Sequence, residues 1–217
     1  MDLSPDLSDD KIGFLYPLPD GTRIYLRPIR PEDKQRLAQG YRMLSEHSRR
    51  LRFFLALPDL KEDYLEYLTH VDQKNHVAWG ALDPSHPELP GVGVGRFIRL
   101  REAPDTAEVA IVVLDEWQHK GVGMVLAAVL YLRAWDVGIR VFRAYILPEN
   151  EFLLNRLREF GTACFHFEEG LWQVDITLRP LDNLPPTPLG RRLKHVVERI
   201  LQIQPALMPR AWKHPSQ

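Results

Sequence analysis

Apolar and polar residues follow two periods along the chain, one typical of strands and one typical of helices. Short apolar or alternating runs, which predict strands, cover residues 22–27, 77–82, 92–100, 106–113, 141–146 and 171–178. The second and third runs flank a proline-rich connector and predict a hairpin with a long loop. Helical spacing covers residues 31–44, 61–68, 120–136 and 150–160. This order predicts an α/β fold, in which one mixed sheet carries helices on both faces.

The two ends of the chain differ from this central pattern. Residues 1–20 are rich in Asp, Ser and Pro, and we expect a flexible amino-terminal arm ahead of a domain over 21–180. Residues 181–217 begin as a proline-rich linker. They continue as a carboxy-terminal amphipathic helix with apolar residues at helical spacing: Leu193, Val196, Val197, Ile200 and Leu201. We expect this helix to dock on the domain or on a second subunit, and a membrane-surface or regulatory role is the alternative.

Composition excludes several classes of protein. The chain has 28 basic and 29 acidic residues, so it lacks the basic surplus of a nucleic-acid-binding protein. Its single cysteine, Cys164, excludes an internal disulfide and is typical of a reducing compartment. No apolar run is long enough to span a bilayer, and the eight histidines show no metal-ligand spacing. We therefore expect a cytoplasmic protein that uses no metal, nucleic acid or membrane.

The most informative segment is the passage from a strand into a helix over residues 111–124. An apolar strand and a polar turn are followed by Gln118-x-x-Gly121-x-Gly123 and then by a long apolar helix. The first amides of a helix have no intrahelical acceptor, and the helix dipole makes this end positive. Glycines also let the backbone come close to a phosphate. The segment therefore predicts a site for a phosphorylated ligand, although its glycine spacing fits neither a dinucleotide fold nor a P-loop.

The motif Gln118-x-x-Gly121-x-Gly123 resembles the Arg/Gln-x-x-Gly-x-Gly/Ala motif of the GCN5-related N-acetyltransferases (GNAT). The runs over 48–54 and 107–123 are similar to the acetyltransferase domain of bacterial protein lysine acetyltransferases. Asn150, Leu153 and Gly161 keep the offsets of the family's next helix, but Thr162 stands where the family usually has Phe. The resemblance covers about residues 22–178. It implies a GNAT fold with a central, mostly antiparallel and splayed sheet.

The resemblance also implies where acetyl-CoA, the cosubstrate, and the catalytic base lie. The pantetheine arm of acetyl-CoA would lie along three strand residues, Ile111, Val112 and Val113. The pyrophosphate would lie on the segment formed by Gln118, His119, Lys120, Gly121, Val122, Gly123 and Met124. Asn150 holds a family position near the CoA arm, and N-capping of the helix that follows it explains this residue equally well. Glu108 holds the position of the general base, while Glu102 and Asp105 are weaker candidates.

These residues predict an acetyl-CoA-dependent N-acetyltransferase that moves an acetyl group directly to a primary amine. The acceptor is either a protein lysine side chain or a small molecule, and a homodimer is one candidate assembly. The alternative is a non-catalytic CoA-binding regulatory module. We assign no general acid, because Leu157 stands where many relatives have Tyr. The arginines at 49, 50 and 52 form either a solvated basic face or a site for an acidic substrate or the 3′-phosphate of CoA.

Overall fold

The computed structural model describes residues 12–54 and 57–213, which form one sheet of eight strands. In chain order the strands are β1 Phe14–Pro17, β2 Arg23–Pro28, β3 His76–Leu82, β4 Gly93–Arg99, β5 Thr106–Val113, β6 Val141–Ile146, β7 Ala163–Glu168 and β8 Leu171–Thr177. Their order in the sheet is β1-β2-β3-β4-β5-β6-β8-β7. Every neighbouring pair is antiparallel except β5 and β6, which are parallel. The predicted mixed, mostly antiparallel sheet is confirmed.

The α-helices lie on both faces of this sheet. They are α1 Lys34–Met43, α2 Glu46–Phe53, α3 Glu62–Thr69, α4 Val122–Asp136, α5 Glu151–Phe160, α6 Pro188–Ile203 and α7 Arg210–Lys213. Helix α4 packs closely on β4, because a Cβ atom at Gly95 would lie only 3.1 Å from Leu130 Cδ1. The next residue of β4, Arg96, points to the opposite face and donates to the Leu68 carbonyl of α3. None of the helices in the described ranges is long and apolar enough to cross a membrane.

The carboxy-terminal helix α6 belongs to the same hydrophobic core as α4. Val197 and Ile200 are fully buried in the cluster that also contains Leu126 and Leu130 of α4. This explains why α4 is apolar around its whole circumference, since the sheet covers one side and α6 covers another. Helix α6 begins five residues before Leu193, the first apolar residue of the predicted helical pattern. Pro188 suits a first helical turn, and Thr187 accepts a hydrogen bond from the Gly190 amide at 3.2 Å.

The prediction of a flexible arm over residues 1–20 is wrong for its second half. Residues 12–20 contain β1, an edge strand that pairs with β2 from Phe14 to Pro17. Every second side chain of this segment is buried in the main core: Ile12, Phe14, Tyr16 and Leu18. This alternation is a strand signal, and the acidic residues and prolines around it hid it. Residues 1–11 lie outside the described part of the chain.

Three further elements differ from the sequence predictions. The helix expected over 31–44 is split into a 3-10 turn, Pro31–Asp33, and α1. Helix α2 was not predicted, because most of its residues are polar and its stability comes from a serine cap and from contacts with residues distant in sequence. Strand β7 was also not predicted. It forms the outer edge of the sheet, where most of its side chains stay exposed and leave only a weak alternation signal.

Candidate functional site

The candidate site is a cleft that opens where β5 and β6 separate. The two strands pair only from Thr106 to Glu108 on β5 and from Val141 to Arg143 on β6. Beyond this point β5 stays on β4 up to Val113, and β6 stays on β8 up to Ile146. The diverging strands border a cavity of about 1090 Å³. A cavity of this size can hold a ligand at least as large as a drug molecule.

The inner edge of β5 offers backbone hydrogen-bonding groups to this cleft. In an antiparallel pair only alternate residues turn their N–H and C=O groups towards the neighbouring strand. Since β4 covers one side of β5, the remaining groups after Glu108 face the gap that β6 has left. The three residues expected to hold the pantetheine arm, Ile111, Val112 and Val113, all line the cavity. An extended ligand with amide groups can bind there as an added strand.

The far end of the cleft is built to receive an anion. Gly121 caps the start of α4 with φ of 103°, a conformation that other residues rarely adopt, and its carbonyl accepts hydrogen bonds from Met124 and Val125 at 3.1 Å. Within the described ranges, the amides of Gly121, Val122 and Gly123 have no acceptor. These N–H groups and the helix dipole make this end of the cleft positive.

Arg192 on α6 adds a cation to the same end. Its Nη2 lies 3.5 Å from the point where a Cβ atom of Gly121 would stand, and the residue lines the cavity. The side chain is exposed, and no carboxylate among the described residues pairs with it. Sequence reasoning missed this residue, because only the docking of α6 on α4 brings it to the glycine motif. Its only sequence signal was its place on the polar face of an amphipathic helix.

The loop that carries the glycine motif is anchored to the start of α2. The Asp115 carboxylate accepts hydrogen bonds from the Ser45 amide at 2.9 Å and from the Ser45 and Ser48 hydroxyls at 2.7 Å. Gln118 donates to the Ser48 hydroxyl at 3.2 Å and to the Val113 carbonyl at 3.1 Å. The side chain of Gln118 therefore supports the loop, while the loop backbone faces the cleft.

Helix α5 forms the opposite wall of the cleft. The Asn150 side chain accepts a hydrogen bond from the Leu153 amide at 3.3 Å, so Asn150 caps α5 and also lines the cavity. The ring of Phe152 meets the ring of His119 edge to face at 5.6 Å. Arg50 of α2 donates to both oxygens of Glu149, at 2.6 and 3.2 Å, just before α5 begins. These contacts connect α5 to the loop of the glycine motif and to α2 across the cleft.

Glu108 lies at the opposite end of the cleft from the glycine motif. It is the last residue of β5 that pairs with β6, its side chain is exposed, and it lines the cavity. Glu102 and Asp105 lie in the β4–β5 turn and do not line the cavity, so the structure does not bring these weaker candidates to the site.

The structure brings most of the other expected site residues together around the same cavity. Met124, His119 and Gly123 line it, together with the residues described above. Two expected residues point elsewhere. Val122 is fully buried in the main core, and the Lys120 ammonium lies 4.8 Å from the centre of the Trp117 ring. Only their backbone groups remain as candidates for ligand contacts.

No protein-family model matches the chain. Over 184 residues it is 30% identical to the acetyltransferase Pat of Mycolicibacterium smegmatis, a match that covers 81% of this chain and 53% of that protein. The chain spans about half the length of the curated relatives it matches.

Solved structures show the same similarity. The GNAT domain of S. lividans PAT superposes with a TM-score of 0.70 at 27% identity, over 78% of this chain and 99% of that domain. The fold is also that of yncA from Salmonella typhimurium, which was solved with its cofactor acetyl-CoA. That match has a TM-score of 0.55 at 15% identity and covers 72% of this chain and 94% of yncA.

The first prediction concerns the carboxylate that anchors the loop. Partial burial tends to raise the pKa of Asp115, but the hydrogen bonds from Ser45 and Ser48 outweigh it and hold the pKa below its ordinary value of 3.8. The contribution of this carboxylate to stability is therefore present above that value and is lost as the pH falls through the lowered pKa.

We expect Asp115→Asn to lower the free energy of unfolding by about 1 kcal/mol at neutral pH, a modest value because solvent screens this exposed group. The difference in free energy of unfolding between the variant and wild type should shrink below about pH 4. Urea denaturation at several pH values would measure it. Glu116→Gln is the matched control on the neighbouring exposed residue. A constant difference between Asp115→Asn and wild type across this pH range would contradict the assignment.

Proposed function

This chain belongs to the GNAT family, and from its cleft we propose that it is an N-acetyltransferase that moves the acetyl group of acetyl-CoA directly to a primary amine. The observation that carries this proposal is the order of chemical groups along the cleft. Unpaired helix amides and a cation lie at one end, an open strand edge follows, and a carboxylate lies at the other end. A phosphate, an amide-bearing arm and a reacting thioester occur in that order in acetyl-CoA.

The proposed position of acetyl-CoA follows from this order. Its pyrophosphate accepts hydrogen bonds from the amides of residues 121–123, and Arg192 offers a second contact to the phosphates. The pantetheine arm runs along β5 from Val113 back towards Glu108, about 17 Å of extended strand. The thioester then lies near Glu108. The solved complex of yncA with acetyl-CoA supports the choice of ligand for this fold.

In the proposed reaction the amine nitrogen attacks the thioester carbonyl carbon, a C–N bond forms and the C–S bond breaks. A primary amine with a pKa near 10.4 is mostly protonated at neutral pH and cannot attack in that form. Glu108 is the proposed general base, because its exposed carboxylate lines the cleft at the end where the proposed thioester would lie. The proton of the amine passes to this carboxylate, and CoA leaves as the thiolate.

The thiolate then takes a proton, and Tyr145 is the candidate donor. Tyr145 lies on β6, lines the cleft and interacts with Arg143. The other tyrosine that lines the cleft, Tyr131, is already engaged, because its hydroxyl donates to the Arg179 carbonyl at 2.7 Å. A thiol has an ordinary pKa of about 8.5, so its thiolate is a good leaving group even without a strong acid.

For the acceptor, we propose a protein lysine side chain as the first candidate. The runs over 48–54 and 107–123 are similar to those of bacterial protein lysine acetyltransferases. The relative named acetyltransferase Pat supports acetyl transfer as the reaction. A small amine remains the second candidate, and an assay of acetyl transfer to lysine peptides and to small amines separates the two.

The second prediction tests the pyrophosphate position at Gly123. A Cβ atom there would lie 3.8 Å from Val113, an ordinary contact, and Gly123 lacks the strained backbone that makes Gly121 hard to replace. We expect Gly123→Glu to fold normally, because acids suit the first turn of a helix, and to bind acetyl-CoA at least about tenfold more weakly. Isothermal titration would measure the affinity.

Gly123→Gln serves as the matched control, since it has the same size without the charge. It should bind more tightly than Gly123→Glu, and adding salt should narrow the gap between the two. If Gly123→Glu binds acetyl-CoA as wild type does, the pyrophosphate lies elsewhere.

The third prediction concerns Arg192. We expect Arg192→Gln to weaken acetyl-CoA binding by about threefold to tenfold at low salt, and less at high salt because the side chain is exposed. Binding of acetyl-pantetheine, which lacks the pyrophosphate, should not change. Arg191→Gln is the control, since Arg191 is also exposed and donates to the Pro186 carbonyl. Equal losses in the two variants would show a general charge effect and no phosphate contact.

The fourth prediction assigns the base. Glu108→Gln keeps the shape of the side chain and removes the proton acceptor, so turnover should fall roughly 10²–10⁴-fold while acetyl-CoA affinity stays nearly constant. The loss should shrink as the pH rises, because more of the amine is then neutral without help. Glu102→Gln should leave turnover unchanged.

A Glu108→Gln variant within about twofold of wild-type turnover would remove Glu108 from the mechanism. If wild type also transferred no acetyl group to any amine while still binding acetyl-CoA, the chain would be a CoA-binding module.

A further inference from the structure

A second, smaller cavity lies on the face of the sheet that α1, α2 and α3 cover. Its volume is about 80 Å³, enough for a small polar group, and its walls are mostly apolar. Four arginines and one carboxylate line it. Arg27 pairs with that carboxylate, Asp33, and Arg36 donates to the carbonyls of Pro87 and Leu89. The other two are Arg52 from α2 and Arg96 from β4. Arg52 also lines the large cleft, next to Glu108. Arg52 and Val112 therefore lie between the two cavities.

Arg96 is a buried cation without a matching anion. It is only 5% exposed, and its Nη1 lies 3.1 Å from the Leu68 carbonyl and 3.1 Å from His76 Nε2. Burial and the Arg96 charge lower the pKa of His76 to about 4, so the imidazole is neutral and accepts the hydrogen bond. Burial lowers the pKa of Arg96 itself to about 10, which still leaves it charged at neutral pH. No carboxylate in the described ranges pairs with it.

Arg52 lies between the two cavities and is half-buried. Burial lowers its pKa, and the positive charges of Arg52 and Arg96 repel each other. Its guanidinium carbon lies 4.8 Å from the centre of the Phe53 ring, and it is attracted electrostatically to Tyr64 and Glu108. Like Arg96, it has no ion pair with a described residue.

Other buried or half-buried arginines in the described part of the chain either pair with a carboxylate or donate to backbone carbonyls, as Arg140 does to Trp135 and Ile139. Arg133, at 3% side-chain exposure, pairs with Asp136 at 2.6 Å. Arg27, at 15%, binds both oxygens of Asp33. A buried charge without a counter-charge is costly, so the missing partner of Arg96 needs an explanation. The half-buried Arg52 adds a second positive charge beside it. A ligand that carries the anion supplies that explanation.

We propose that Arg52 and Arg96 form an anion subsite for the acceptor, so that the substrate is an amine with a carboxylate close to the reacting nitrogen. This inference rests on the proposed function and names its substrate class. The guanidinium groups bind the carboxylate at the small cavity, and the amine reaches Glu108 in the large cleft. Tyr64 and Tyr67, stacked at 6.2 Å and 39% and 47% exposed, form an aromatic surface on α3 near the two arginines.

The test compares acceptors that differ by one carboxylate. One pair is free lysine and cadaverine, and the other is a lysine peptide with Glu or with Gln beside the lysine. We expect kcat/KM to favour the acidic member of at least one pair by about tenfold to a hundredfold, because a neutral acceptor leaves both arginines unpaired. The pair that shows the preference tells whether the carboxylate belongs to a small molecule or to a protein.

The variant Arg52→Gln should bring this ratio close to one. If the substitution also changes how Glu108 acts as a base, it changes kcat/KM for both acceptors of a pair by the same factor. The ratio of the two kcat/KM values therefore reports only the contact with the carboxylate. Arg42→Gln is the matched control: Arg42 is exposed on α1, pairs with Asp59 and lines neither cavity. It should keep the wild-type ratio. Equal use of both members by wild type, or an unchanged ratio in Arg52→Gln, would overturn the proposal.

Two further measurements separate this inference from the proposed function. Isothermal titration of each acceptor in the presence of CoA tests the subsite even if no acetyl transfer occurs, and loss of carboxylate-dependent binding in Arg52→Gln would support it. Succinyl-CoA carries a carboxylate on its acyl group, so it tests whether the two arginines bind an anion of the acyl donor and not of the acceptor. If Arg52→Gln lowers transfer from succinyl-CoA but leaves the acceptor ratio at the wild-type value, the anion belongs to the acyl donor and the proposal is wrong.

Discussion

The short parallel pairing between β5 and β6 is the constraint on which the site depends. Each strand is held on its outer side by a long antiparallel neighbour, so the two can separate after Glu108 without losing their place in the sheet. Their inner edges then carry backbone groups that have no strand partner, and such groups must bind water or a ligand. The gap between β5 and β6 therefore exposes a polar strip, formed by the unpaired backbone groups of the two inner strand edges. The start of α4 and the cap of α5 both face this strip.

Much of this arrangement could be predicted from residues that act locally. The strand alternation and the spacing of Gly121 and Gly123 are properties of the chain itself, and they marked the anion-ready helix start. The role proposed for Glu108 followed from a family resemblance, and in the structure this residue lies at the point where β5 and β6 begin to separate. Helix α2 and strand β7 escaped prediction because neither has a strong apolar pattern of its own.

What could not be predicted depends on contacts between distant segments. Arg192 stands beside the glycine motif only because α6 docks on α4. Arg96 looks like an ordinary outward residue of an alternating strand, and its burial becomes evident only once α3 covers that face. The lack of a counter-charge for Arg96 is also invisible in sequence, since the chain has nearly equal numbers of acidic and basic residues. Charge balance over a whole chain says nothing about balance inside one cavity.

The docking of α6 has a consequence for how such domains can be exchanged between proteins. The family resemblance ends near residue 178, but the buried residues Val197 and Ile200 and the cavity-lining Arg192 lie beyond it. The folded domain of this chain therefore includes α6 and is longer than the segment that resembles the family, which ends near residue 178. Recombination at the end of the recognisable part would remove a wall of the cleft and expose α4. Any lineage that shuffles this domain must carry α6 with it or replace it with another apolar cover.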